Sequence, residues 1–427
     1  MAQKLKFGNG TWATKEGSTL AYNDENNNYK PLPFTTTRDS IGTRVNKQGL
    51  IEVVGNDIPR IDYTDSADGV LLLEPSRTNL ITYSEAFDNA YWSISRIESP
   101  YIADVLSPDG TLNAFTLEIS SGQTAGGGVY KTGISITGDN SFSIFAKKKT
   151  ANYLALGDTG LTNNAVYFDL ENGVVGTTYN ATGEIQDFGN GWYRCTMKYT
   201  LTSSGAKFIY LSNIDGETNN AVQGGDSIYI YGAQLEQGSY ATSYIPTSGS
   251  TATRQADTAN GSGNSEVFNS QEGILFAEVA SLSNPPSSET AISISEGTSG
   301  ANRLLIRQKT NGTIGLVLRV ANSTQASFDT DTVNTLLNSK LAAKYKVNDI
   351  ALWINGFEVG TDTSASVFAS DTINQMNFNQ GNNSNHFYGK TKELGYYDTA
   401  LTDEELEYLT SYRSLNELVT ELNLNTL

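Results

Sequence analysis

Apolar and polar residues alternate with a period of two through most of this chain, the spacing of half-buried β-strands. NAFTLEIS, NSFSIFAKKK, YLALGD, AVYFDLENG, GWYRCTMKYTL, AKFIYLSN and SIYIYGAQLE all carry it between residues 113 and 236. In SFSIFAK it sends Phe142, Ile144 and Ala146 to one face and Ser143, Phe145 and Lys147 to the other. A second strand-rich set, EGILFAEVASL, RLLIRQKTNGTIGLVLRV, YKVNDIALWINGFEVGTD and KTKELGYYDTALT, follows residue 265. Asn355-Gly356 between two apolar runs predicts a tight hairpin, because both residues tolerate positive φ; Asn311-Gly312 and Asn172-Gly173 carry the same signal.

A helical pattern enters only in the last 27 residues. Thr402-Asp403-Glu404-Glu405 reads as a capping box, and Ser414 to Glu417 repeats it, so two short helices are expected. Leu401, Tyr408, Leu415 and Leu422 recur every seven residues, but the alternate heptad position is poorly filled. A helix lying on the preceding sandwich fits better than a coiled coil. The pattern predicts an all-β chain of two tandem β-sandwiches, the first of jelly-roll type, with an N-terminal extended arm and a short C-terminal helical tail.

Residues 1–70 are polar, turn-rich and interrupted by Pro31, Pro33 and Pro59, so they read as an arm that needs another surface to order on. The first sandwich is expected over 71–257, a Gly/Ser/Asn linker over 258–264, the second sandwich over 265–400 and the tail over 401–427. Pro75 lacks a backbone donor and places the 71–74 stretch at a strand entry or sheet edge.

Composition narrows the partners. The net charge of −18 repels phosphate backbones and disfavours nucleic acid. A single cysteine, Cys195, excludes an intramolecular disulfide, and its place in GWYRCTMKY predicts a buried strand position. No apolar run has signal-peptide length or the ~20 residues of a membrane span, so membrane insertion is not expected and synthesis in a cytosol is.

Catalytic chemistry finds little support. His386 is the only histidine, and no G-x-S-x-G elbow occurs. One His and one Cys nearly two hundred residues apart make no zinc site. Gly8 to Ala13 fits a loose dinucleotide pattern without a following helix, and Gly389-Lys390-Thr391 ends a P-loop whose earlier glycine position holds Ser384. A glycosidase needs two carboxylates, yet Glu236, Glu278, Glu358 and Glu393 stand singly on their strands. Asp24 to Asn28 starts like a calcium loop but has Tyr29 and Thr35 where a turn glycine and a bidentate acid belong. No cofactor is expected; Asp329-Thr330-Asp331 could supply structural calcium ligands, with plain solvated turns favoured.

Three motifs carry a resemblance: LLLEPSRTNLITYSEAFDNAYW at 71–92, NGWYRC at 190–195 and YGAQLEQGSYATSYIPT at 231–247. In order and spacing they resemble the carbohydrate-binding-module-like sandwich of bacteriophage head-spike-fibre proteins. ALWINGFEVG and ELGYYDTALTDEEL resemble a laminin-G, concanavalin-A-type sandwich. The resemblance implies a structural fibre on the virion surface, on head or tail, without catalytic residues. It further implies a homotrimer, attachment to capsid or tail proteins through the N-terminal arm, and adhesion to host-surface glycans. A carbohydrate-active enzyme and a non-viral bacterial lectin are the alternatives. Trp192 and Tyr193 read as core. Phe387 and Tyr388, in an Asn/Gly-rich loop, are the candidate glycan-binding aromatics, while Tyr396 and Tyr397 read more readily as core.

Overall fold

A computed structural model describes residues 3–20, 32–203, 205–285, 288–297, 299–332 and 336–412. The chain divides into two compact units that do not follow one another in sequence. One comprises residues 1–39, 55–75 and 256–427; the other comprises 40–54 and 76–255. The second unit is therefore an insertion into the first.

The inserted unit is a sandwich of two six-stranded antiparallel sheets. One sheet runs in the order Ser93–Ser95, Gly127–Lys131, Lys207–Ser212, Tyr153–Asp158, Asn164–Asp169, Val174–Tyr179. The other runs Tyr101–Ile102, Phe115–Glu118, Ser227–Gln237, Gly138–Lys148, Trp192–Leu201, Thr182–Asp187. Period-two alternation fills the space between them: Phe142, Ile144, Leu154, Leu156, Val166 and Phe168 are all buried there. Phe145 points the other way, into a smaller cluster with Trp192, Tyr231 and Tyr244. Cys195 lies fully buried in the main core, and burial pushes its thiol up.

The enclosing unit packs an eight-stranded sheet on a nine-stranded one. Leu71, Leu275, Leu341 and Leu394 from the first meet Phe34, Ile294, Leu304 and Leu316 from the second. The expected hairpin joins Ile350–Ile354 to Phe357–Asp362, with Asn355 at φ 51° and Gly356 at φ 90°, the pair of positive values a type I′ turn requires. Helix Asp403–Thr410 begins at the expected capping box and buries Leu406 beside Phe276 and Trp353 on the outer side of the eight-stranded sheet. The second capping box and the later heptad positions lie outside the described residues.

Three expectations are corrected. The described residues of the 1–70 segment are not a free arm. Leu5–Gly8 pairs with Gly389–Tyr397, and Phe34–Thr37 pairs with Thr258–Ser262. Leu5, Phe7 and Phe34 are buried in the core, so few apolar residues suffice when each fills a pocket built by distant strands. The 71–74 stretch does not open the inserted sandwich: Val70–Leu73 pairs with Gly389–Tyr397 in the enclosing unit. Nor is 258–264 a free linker. Thr258–Ser262 is a strand held on one side by Phe34–Thr37 and on the other by Gln375–Asn377, with a bulge between Asn260 and Ser262. Its polar side chains suggested freedom, but two neighbouring ladders satisfy its backbone.

Candidate functional site

The motifs that carry the resemblance act inside the fold. Glu74 and Asp257 are buried in the enclosing unit with Arg60 and Arg38. Arg60 Nη1 donates to Glu74 at 2.6 Å and Nη2 to Asp257; Arg38 Nη1 donates to the other Asp257 oxygen at 3.0 Å. Burial works against the Arg60 charge, but Asp257 and Glu74 outweigh it and raise its pKa. In the inserted unit Asn79 donates to the carbonyls of Ala233 and Ile245 and accepts from the amides of Ile81 and Leu235. Gln234, Glu236 and Thr242 form a second buried knot. Trp192 donates its indole N–H to the Leu106 carbonyl at 2.9 Å. These residues pin loops to sheets and offer nothing to solvent.

The sequence-predicted site fares differently at its two positions. Phe387 is 5% exposed, packs on Phe378 and lines a cavity of about 30 Å³ with Ile292, Ile306 and Leu341. It is a core residue, which corrects the expectation of an exposed platform: its loop is polar, but the strand pairing that follows turns Phe387 inward. Tyr388 is half-buried, its ring 6.4 Å from His386. Tyr396 is fully buried and shares a hydrogen bond with Tyr345 at 2.9 Å.

Two carboxylate pairs come together that spacing along the chain did not reveal. Glu278 and Glu393 are direct cross-strand partners. Lys392 lies 3.3 Å from Glu278 and Lys6 lies 3.7 Å from Glu393, so their charges are matched. In the inserted unit the Tyr231 hydroxyl lies 3.1 Å from both Glu85 and Asp109. Burial raises the Glu85 carboxyl above its ordinary value. Burial also opposes the Asp109 charge, but donors from Ser107, Thr111 and Asn113 outweigh it and hold Asp109 below the usual range. With Asp109 tied to its own turn, the group fixes the loop rather than presenting an open acid–base pair.

Asp329 belongs to strand Ser323–Thr332 and is held by Arg307 and Lys309, so it is no loop ligand for calcium. Among the described residues no group of three or more His, Cys, Asp or Glu side chains could hold a metal ion. No helix among them is long and apolar enough to cross a membrane.

The surface with binding chemistry is the outer face of the inserted unit's sheet that contains Tyr153–Asp158. Alternation directs Leu154, Leu156 and Ile209 inward, and Tyr153, Ala155, Gly157, Phe208 and Tyr210 outward. Across one row stand Tyr130, Phe208, Gly157, Ala165 and Tyr179; across the next stand Gly128, Tyr210, Ala155 and Tyr167. Small residues thus form a central floor with aromatic rings on either side.

Two loops edge this face. The Tyr179 hydroxyl donates to the Gly216 carbonyl at 3.1 Å, and Asp215 accepts from the Thr177 amide at 2.8 Å and its hydroxyl at 3.0 Å. Leu161 approaches Gly157 so closely that a Cβ there would lie 2.8 Å from its side chain. Tyr130, Tyr153, Tyr179 and Phe208 remain half-buried around this roof. Burial raises the phenols of Tyr153 and Tyr167, with further contributions from Asp169 and Asp215 at Tyr153 and from Tyr179 and Glu217 at Tyr167. They stay neutral, able to donate and accept. The sequence contained the signal, since YLALGD and AVYFD place their tyrosines opposite the Leu and Phe of the core.

No family model matches the chain, and no curated protein matches it significantly. Solved structures similar to it are carbohydrate-binding modules and lectin-like sandwiches. The CBM40 module of a Ruminococcus gnavus IT-sialidase is 22% identical, covers 34% of this chain and 84% of its own, and gives a TM-score of 0.30. A heptameric SAP-like pentraxin from Limulus polyphemus is 13% identical over 35% of this chain and 73% of its own, at 0.27. The NanB sialidase of Streptococcus pneumoniae is 16% identical over 35% of this chain but 25% of its own, at 0.29. Likeness at this level assigns no ligand. The class is that of an all-β, sandwich-built protein.

Proposed function

We propose that this chain is a structural display protein of a bacteriophage virion, a head or tail fibre that adheres to glycans on the host surface. The three ordered motifs support the phage reading. The observation that carries adhesion is the outward tyrosine face: the half-buried rings of Tyr130, Tyr153, Tyr179 and Phe208 suit the apolar faces of sugar rings, and neutral phenols exchange hydrogen bonds with hydroxyls. Binding rather than turnover fits the matched or tied carboxylates. Capsid or tail proteins are the implied anchoring partners, and the virion surface is the implied location. The 1–70 segment cannot serve as a free arm, since its described strands belong to the sheets.

Glycan-array binding of the full chain tests adhesion. Tyr130→Ala and Tyr153→Ala should each reduce binding about tenfold, the equivalent of ~1.4 kcal/mol, with the melting temperature little changed. Equal binding by both variants removes the tyrosine face from the reading. Immunogold labelling of particles tests the virion assignment, and unlabelled particles would refute it.

A further inference from the structure

The outer face of the nine-stranded sheet in the enclosing unit carries three arginines, two of them with no ion-paired carboxylate among the described residues. Arg303 and Arg319 are direct partners across neighbouring antiparallel strands. Like charges so placed repel one another, an arrangement strands ordinarily avoid. The third, Arg307, shows how this face usually settles a charge. Its guanidinium lies 3.1 Å from Glu289 and 3.0 Å from Asp329.

No carboxylate among the described residues lies within ion-pair distance of Arg303 or Arg319. Arg303 Nη1 donates to the Gln380 carbonyl at 3.1 Å, and the Nε atoms of both arginines are buried without an acceptor. Burial and the Arg319 charge depress the Arg303 pKa against the opposing pull of Glu289, although a guanidinium stays charged at any physiological pH. The chain has 46 acidic residues against 28 basic ones, so a guanidinium pair without a carboxylate is not the outcome of scarcity.

The row beside the arginines is Ser293, Leu305, Val317 and Ser327, with Leu305 and Val317 themselves buried. Leu305 and Val317 form a small cluster of their own with Ala291. The Asn382 amide and Arg303 both approach Gly300: a Cβ on that glycine would lie 2.9 Å from Arg303 Nη1 and 3.6 Å from Asn382 Nδ2.

We propose that Arg303 and Arg319 form a clamp for the carboxylate or sulfate group of an acidic glycan. A guanidinium fork matches the planar edge of such an oxyanion, and the anion removes the repulsion between the two arginines. This site is independent of the tyrosine face. Tyr130→Ala and Tyr153→Ala should leave it unchanged, so either assignment can fail alone.

Calorimetry of the full chain tests it with an oligogalacturonate, a chondroitin sulfate oligosaccharide, a neutral galactan oligosaccharide and sodium sulfate. At least one charged oligosaccharide should bind more tightly than the neutral one, with an affinity that falls as salt rises. Arg303→Gln and Arg319→Gln should each weaken that binding tenfold or more. Arg319→Lys, which keeps the charge but loses the fork, should fall between. Lys309→Gln makes the same charge change just past the end of strand Arg303–Gln308 and should stay within twofold of the unaltered chain. Arg319→Gln should melt no lower, since it removes a repulsion. Unchanged binding by the arginine variants overturns the proposal, as does an equal loss in Lys309→Gln. So does a chain that prefers neither charged oligosaccharide, or sodium sulfate binding as tightly as either.

Discussion

Asp257 sits between two guanidiniums, its oxygens shared by Arg38 and Arg60, and also accepts from the Glu74 amide at 2.9 Å. Asp257→Asn leaves buried positive charge under-compensated and should cost roughly 3–5 kcal/mol, measured as a shifted denaturant midpoint. A neutral effect would mean that the network is solvated in solution. Glu85 gives a pH test. Its raised carboxyl means the folded state prefers the protonated form. The stability it contributes is complete below the ordinary Glu range and lost as pH rises through the raised value. Glu85→Gln should therefore melt higher than the unaltered chain at pH 7 and equal to it near pH 3. Asp109, held low, works in the opposite direction and loses its contribution as pH falls. A Glu85→Gln advantage that grows on acidification would contradict this account.

Among the elements, the short strand Phe34–Thr37 tests the correction to the arm. Phe34 is fully buried, with ring centroids 4.5 Å from Phe7 and 5.1 Å from Phe378. Phe34→Ala should cost about 3–5 kcal/mol, read by chemical denaturation, where a free arm would lose nothing. Thr258–Ser262 depends on the same strand, since Phe34–Thr37 satisfies one of its edges. Deleting residues 1–63 therefore removes ladders as well as core, and should yield aggregated or unfolded protein. A truncated chain with cooperative melts would restore the arm.

For the whole molecule, the interleaved units decide what can be cut. The chain passes between them after residues 39, 54, 75 and 255. Expressing 71–257 alone takes residues 71–73 from their sheet partner and omits the 40–54 hairpin, whose Val45 and Ile51 pack with Tyr231 and Tyr244. Residues 40–54 joined to 76–255 should fold where 71–257 folds poorly, compared by thermal melts of the two. The fibre reading also carries a homotrimer. Light scattering of the full chain should give three chain masses, and a monomer at micromolar concentration would count against a fibre.

Local pattern determined what depends on neighbours in sequence. Alternation placed the strands of the inserted sandwich, Asn355-Gly356 a hairpin of the enclosing unit, and Thr402 with Glu405 the start of the helix. It also set which side chains share a face, so the tyrosine face was legible once Leu154 and Leu156 were assigned to the core. The tertiary structure alone decided what depends on strands far apart in the chain. Leu5–Gly8 meets Gly389–Tyr397, Arg60 meets Asp257, and Phe387 turns inward although its loop is polar. Period-two patterning specifies a face but not the strand that will lie beside it. Burial of Phe34, pairing of Thr258–Ser262 and the meeting of Arg303 with Arg319 all follow from that choice of neighbour.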